Sequence, residues 1–227
     1  MNREFYLLVD SSILCCYAVS KWIDEFSAND QFSGVLVRED RPSESVLERR
    51  RYFHKQYAGQ KDLAEEAVEE LLRLYSGVDD EAERAMIRLF GLPKYPVSFL
   101  PETVFLGNNI NGENARDWMT ENYPNRRPFL FSHIGQIFQP WWLEITENRL
   151  LNVHSAVLPY ARGIYSIENI AAIKDADLFR KSAGITIHFI DQGVDTGPII
   201  KAERIIDPFR FSSIWELKGY IFMTGYR

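Results

Sequence analysis

The chain has 227 residues, 46% hydrophobic and 26% charged, with a net charge of −6 and a pI near 5.3. That is an ordinary soluble globular composition, long enough to bury a core without disulfides or metals. The acidic balance supplies no global field for nucleic acid or an anionic membrane, and no run approaches the roughly 18 apolar residues of a membrane span.

The two cysteines, Cys15 and Cys16, are adjacent. Such neighbours form neither a disulfide framework nor a CxxC metal knuckle, so a reduced, cytoplasmic setting is expected. The stretch Met1 to Asp10 has no long apolar core of the secretory type.

Phe5 to Val9 is a short apolar run and reads as a buried strand. Asp10-Ser11-Ser12 then offers helix N-cap chemistry, and Ile13 to Phe26 places Leu14, Tyr17, Ala18, Trp22 and Ile23 on one helical stripe. Gly34 to Val37 is a second strand, and this β-α-β opening predicts a parallel sheet. Val46 to Tyr57 and Lys61 to Tyr75 are helical by spacing. Asp79-Asp80-Glu81 puts negative charge at the start of a further helix reaching about Phe90, where the dipole favours it. Further strands are expected at Thr103 to Leu106, Pro128 to Ser132, Leu150 to His154, Gly184 to Ile190 and Ile199 to Ile206. Glu113 to Tyr123 and Ser212 to Arg227 read as helices. With no repeat and no linker, residues 1–227 are expected to form a single α/β domain: a mostly parallel sheet with helices on both faces. The region from roughly 39 to 100 is long for one crossover and is expected to be a helical insertion that covers or shapes a site.

Asn152 and His154 carry the first chemical signal. At i and i+2 in a strand they share a face, near the carboxyl end where open parallel sheets bind ligands. An amide can donate to a developing oxyanion, and an imidazole can move a proton near neutral pH. The same pair also reads as a turn stabiliser beside a structural histidine. Asp195 sits in Val-Asp-Thr-Gly-Pro, a turn sequence, and is either a turn former or an orienting carboxylate. His188, alternating with Thr186 and Ile190, reads as a hydrogen-bonded core residue. Arg49-Arg50-Arg51, with His54 and Lys55, could bind a phosphate or carboxylate, but adjacent helical arginines splay over different faces and read better as a solvated surface, as does Glu65 to Glu70.

Taken together, two blocks are more specific. The chain reads Asn152-Val-His154-Ser-Ala-Val-Leu158-Pro159-Tyr-Ala-Arg162-Gly163, and then Gly184-Ile-Thr186-Ile-His188, six residues, and Asp195-Thr-Gly197-Pro198-Ile199. These blocks resemble those of the folate-dependent formyltransferases over roughly residues 103 to 220. The first hundred residues resemble only a generic Rossmann-like start.

The resemblance implies a Rossmann-like formyltransferase fold and a one-carbon transferase using 10-formyltetrahydrofolate, without a metal. It implies catalytic roles for Asn152 (oxyanion donor), His154 (proton shuttle) and Asp195 (orienting carboxylate). By family position, Gln136, Ile137 and Phe138 on one side and Ile190, Asp191, Gln192, Gly193 and Val194 on the other would bind the pterin. Pro140-Trp141-Trp142 would support that wall, or simply pack inside.

Three departures bear on the acceptor. Ser155-Ala156 replaces the usual Pro-Ser. Asp10-Ser11-Ser12-Ile13 stands where transformylases of glycinamide ribonucleotide carry a glycine-rich phosphate loop. The extra domains of the related hydrolase and tRNA enzymes are not expected. The expected partner is therefore a small-molecule amine or hydroxylamine, such as a nucleotide-linked amino sugar or a specialised-metabolite amine, with neither nucleic acid nor membrane. The alternatives are a hydrolase releasing formate and a non-catalytic folate-binding module. Whether the protein forms a homodimer is left open.

Overall fold

The first strand shows how the sheet is dressed. Leu7 and Val9 point to one face and Tyr6 and Leu8 to the other, and all four are buried. A strand covered on both sides belongs inside a layered α/β fold. The computed structural model describes residues 4–77, 80–125 and 127–226. Asp79 at an expected helix start, Arg227 at an expected helix end and the first three residues of the chain lie outside them.

Strands β1 (Phe5–Asp10), β2 (Phe32–Arg38), β3 (Val104–Phe105), β4 (Phe129–His133), β5 (Leu150–His154), β6 (Gly184–Phe189) and β7 (Ile199–Arg204) form one sheet in the order β3-β2-β1-β4-β5-β6-β7. The first five run parallel. β6 runs antiparallel to β5, and β7 antiparallel to β6. The sheet is therefore mostly parallel, as expected, with its antiparallel part confined to β6 and β7. Between β5 and β6 the chain makes a loop and two short helices, α7 (Ser166–Ile173) and α8 (Ala176–Ser182), not a full crossover helix. The sequence pattern marked neither of them, nor α6 (Pro140–Thr146).

Helix α1 (Ile13–Phe26) begins where expected, because the Ser12 hydroxyl accepts the Cys15 N–H at 3.0 Å. It shares one face of the sheet with α2 (Glu44–Tyr57), α3 (Glu65–Arg73), α4 (Asp80–Phe90) and α9 (Ile214–Gly225). α5 (Glu113–Asn122) and α6 cover the other face. On that side Trp142 is fully buried and donates its indole N–H to Ile110 O at 3.1 Å. It stacks on Trp141 at 4.5 Å between centroids and meets the Phe138 ring edge-on at 5.5 Å. Packing is thus the role of Trp142.

α2 to α4 lie between β2 and β3, within the expected insertion. A buried polar network ties them down, and it corrects the reading of the basic cluster as a solvated face. Arg50 is 1% exposed and donates to both oxygens of Glu39, at 2.9 and 2.7 Å. Its Nε donates to Leu74 O at 2.7 Å, and its guanidinium lies 4.4 Å from the Tyr75 ring centroid. His54 is equally buried. Its Nδ1 lies 2.7 Å from Pro93 O, which can only accept, so Nδ1 carries the proton and Nε2 accepts from the Tyr75 hydroxyl at 2.8 Å. Arg49 and Arg51 do face solvent, paired with Glu70 and Glu44. Among the described residues no helix is long and apolar enough to cross a membrane.

Burial pushes the His54 imidazole down to about 4, outweighing its bond to Pro93. An unfolded chain protonates this histidine below about 6.5, and the folded chain does so only near 4. Stability should therefore fall as pH drops from about 6.5 to about 4, by on the order of 3 kcal/mol from this group. Urea unfolding at pH 7, 6 and 5 is expected to show the upper part of that loss, and His54→Gln to make the slope shallower. An identical slope in the variant would assign the acid sensitivity elsewhere.

Candidate active site

The parallel strands present their carboxyl ends on one edge. Asp10 ends β1, Arg38 ends β2, His133 ends β4 and His154 ends β5. All four line one cleft of about 690 Å³. Asn152, Asp195, Gln136, Ile137, Phe138, Ile190, Asp191, Gln192, Gly193 and Val194 line it too, so every residue singled out for a site lies in the same cleft.

The two expected walls are shaped by their own side chains. Gln136 spends its amide on the neighbouring loop, accepting Ile110 N–H at 2.9 Å and donating to Asn109 Oδ1 at 2.7 Å. Asn111 holds Ile137 O at 2.8 Å from the same side. Asp191 Oδ1 accepts the Gly193 N–H at 3.0 Å and the Thr196 hydroxyl at 2.6 Å, an Asx turn that sets the opposite loop. With these groups committed, Ile137 (69% exposed) and Val194 (47%) present open apolar surface. A separate cavity of about 220 Å³ lies between this loop and α6 and holds none of the histidines.

Asn152, His154, His188 and Asp195 come together on the other side of the cleft. Asn152 pairs with His188 in the β5–β6 register, and its Nδ2 lies 3.4 Å from His188 Nε2. His188 Nδ1 lies 2.8 Å from Phe189 O and so carries the proton in the neutral ring. That leaves Nε2 to accept from Asn152, with the second amide N–H of Asn152 available to the cleft. His154 Nε2 lies 3.0 Å from Ala161 O and is the protonated nitrogen in the neutral ring. Its Nδ1 faces Asp195 Oδ2 at 3.5 Å, and His188 Nε2 faces Asp195 Oδ1 at 3.4 Å. One carboxylate thus stands between two bare ring nitrogens. Either imidazole gains an ionic partner on taking up a proton.

Local sequence explains how Asp195 reaches them. Phe189 N–H donates to Pro198 O at 2.9 Å and closes the 190–198 loop. Gly197 lies so close to that strand end that a Cβ would fall 1.9 Å from Phe189 O. Asp195 takes φ +51, a left-handed conformation that Asp tolerates better than most residues, and accepts the Gly163 N–H at 2.7 Å. Thr186 fixes the facing loop, accepting Leu158 N–H at 3.0 Å and donating to Ala156 O at 2.8 Å.

Burial lowers the His154 pKa, partly opposed by Asp195 and the bond to Ala161. Burial alone would raise Asp195. His188 facing it, the neighbouring His154 and the Gly163 N–H outweigh it and hold the carboxyl below its ordinary value.

His188, which the sequence pattern marks as a hydrogen-bonded core residue, is buried and bonded, and it also shares Asp195. The far end of the cleft holds residues that the sequence did not single out. His133 Nδ1 meets the Tyr226 hydroxyl at 2.6 Å, and burial pushes this imidazole down to about 4. Lys218 is buried and paired with Glu168. Arg38 pairs with Asp10 at 2.6 Å. Glu83 reaches in from α4. The strand pattern pointed to Arg38 and His133, since strand ends line such clefts whatever residue they carry, but nothing local marks Glu83 on α4 or Lys218 on α9.

Residues 118–208 match the family model described as formyl transferase. A methionyl-tRNA formyltransferase of Finegoldia magna is 28% identical over 149 residues, 61% of this chain and 46% of that protein. The chain spans less than half the length of the curated relatives it matches. Phosphoribosylglycinamide formyltransferase from Streptococcus pneumoniae TIGR4 superposes with a TM-score of 0.54 at 20% identity, covering 100% of this chain and 94% of that one. An N-formyltransferase from Helicobacter canadensis, solved with folinic acid and dTDP-3-aminofucose, gives 0.50 at 15% identity over 98% of this chain and 60% of that one.

Asp195→Asn removes the charge that opposes the burial of His154. An NMR titration of the imidazole should then place its pKa lower still. An unchanged titration would mean that the 3.5 Å pair carries no charge coupling.

Proposed function

We propose that this chain, whose residues 118–208 match the formyl transferase model, moves a formyl group from 10-formyltetrahydrofolate to the amine or hydroxylamine nitrogen of a small molecule. The observation that carries the reading is the meeting of Asn152, His154, His188 and Asp195 within 3.5 Å contacts on the wall of one cleft. An amide donor, two imidazoles and a shared carboxylate suit an acyl transfer in which charge develops on oxygen and a proton changes hands.

The folate supplies the formyl group. The acceptor nitrogen bonds to the formyl carbon, and the bond from that carbon to the folate nitrogen breaks. The products are a formamide and tetrahydrofolate. The free N–H of Asn152 is directed at the oxygen that gains charge as the amine adds. His154 takes the proton the amine sheds, through Nδ1, where Asp195 stabilises the resulting imidazolium. The folate nitrogen takes up one proton as it departs. His188 holds Asn152 and Asp195 in place.

Gln136, Ile137 and Phe138 form one wall for the pterin and Ile190 to Val194 the other. The fit rests on open apolar surface at Ile137 and Val194, with the Gln136 and Asp191 side chains committed to their own loops. The binding of folinic acid and a nucleotide-linked amino sugar by the Helicobacter canadensis protein supports a folate donor and a small amine acceptor. One sheet, with the insertion contributing Ser76, Gly77 and Glu83 to the cleft, supports reading 1–227 as one catalytic unit.

Incubation with 10-formyltetrahydrofolate and a panel of amines should release tetrahydrofolate in step with a formamide. Asn152→Ala is expected to lower kcat by about 100- to 1,000-fold, as the loss of an oxyanion donor does, with folate binding retained. Full turnover in that variant would remove Asn152 from the chemistry. Formate released without any amine would assign hydrolysis instead.

A further inference from the structure

The end of the cleft away from Asp195 is where a doubly wound sheet ordinarily receives a ligand's phosphate. Helix α1 starts there directly after β1, and its first N–H groups and its dipole favour an anion. In this chain the position is already filled from the insertion. Glu83, on α4 and 1% exposed, accepts the Leu14 N–H through Oε1 at 3.2 Å, while Ser12 takes the Cys15 N–H at 3.0 Å. Gly77 packs against the same carboxyl group so closely that a Cβ there would fall 2.8 Å from Oε1 and 2.9 Å from Oε2.

The cations lining this cleft are committed as well. Arg38 is paired with Asp10, whose other oxygen accepts the Gly135 N–H at 2.8 Å, and Lys218 is paired with Glu168. A phosphate entering here would meet the carboxyl groups of Glu83 and Asp10 and would have to displace a carboxylate to reach either cation. His133 beside them is a neutral hydrogen-bonding group at physiological pH.

Resting on the formyl-transfer reading, we propose that Glu83 is a specificity-determining residue that keeps phosphate out of this end of the cleft, so that the acceptor is an amine with no phosphate or diphosphate seated there. This selects the amine of a phosphate-free metabolite over a nucleotide-linked sugar whose diphosphate enters the cleft.

The test uses inorganic phosphate as the probe, titrated into the full chain at constant ionic strength. Binding is read from the Leu14 amide shift in 1H–15N spectra and from the Tm. In the wild-type protein the Leu14 amide is expected not to move saturably. In Glu83→Ala it should move saturably, with phosphate affinity raised at least ~10-fold and a phosphate-dependent rise in Tm. Glu83→Gln keeps the shape without the charge and is expected to gain affinity in the same direction. It serves if the alanine variant fails to fold. Saturable binding at Leu14 in the wild type overturns the proposal, as does a folded variant that gains no phosphate affinity. The titration requires neither folate nor acceptor. A chain that formylates no amine would sink the formyl-transfer reading and leave the phosphate result to decide what Glu83 does.

Discussion

The carboxylate of Asp195, set between two imidazoles, is the constraint on which the site depends. His154 stands at the end of one strand and His188 lies on the next, and both turn a ring nitrogen toward it. To deliver that carboxylate the 190–198 loop must double back on β6, which requires the close approach at Gly197 and the left-handed turn at Asp195 itself. The 155–163 loop must in turn come near enough for Gly163 to donate to it. Two loops far apart in sequence are thereby registered against each other by one side chain.

The far end of the cleft depends on a different interaction. The Arg50–Glu39 pair is buried and bidentate, and removing one partner would leave a charge uncompensated in the interior. Glu39 comes directly after β2, and Arg50 sits midway along α2, so the pair fixes α2 to the carboxyl edge of the sheet. Glu39 also accepts the Ser76 hydroxyl at 3.3 Å, bringing the same network to the cleft. The α2 to α4 segment therefore reaches the cleft through Ser76, Gly77 and Glu83.

Local signals made much of this legible in the sequence. Ser12 before an apolar stripe placed α1, and the i, i+2 spacing put Asn152 and His154 on one face of β5. The two blocks around them pointed to formyl transfer. The features that stayed hidden had partners far along the chain. Arg50 looked like a surface residue because nothing near it in sequence announces Glu39 as its buried partner, and His54 needs Pro93 and Tyr75 to be satisfied inside. Glu83 lies 69 positions from the helix end it caps. The helices at 140–146, 166–173 and 176–182 are only two turns or so each, too short for periodicity to separate them from loop. The reversal of β6 depends on those short elements and was invisible for the same reason.

The stacked indoles of Trp141 and Trp142 have a consequence beyond packing. Trp142 is sealed from water and anchored to Ile110, while Phe138, edge-on against it, lines the cleft. One aromatic ring therefore separates the shielded indole of Trp142 from whatever enters between the two walls. The protein carries its own optical gauge of occupancy: a ligand that shifts Phe138 changes the surroundings of Trp142, and its emission registers the event without any added label.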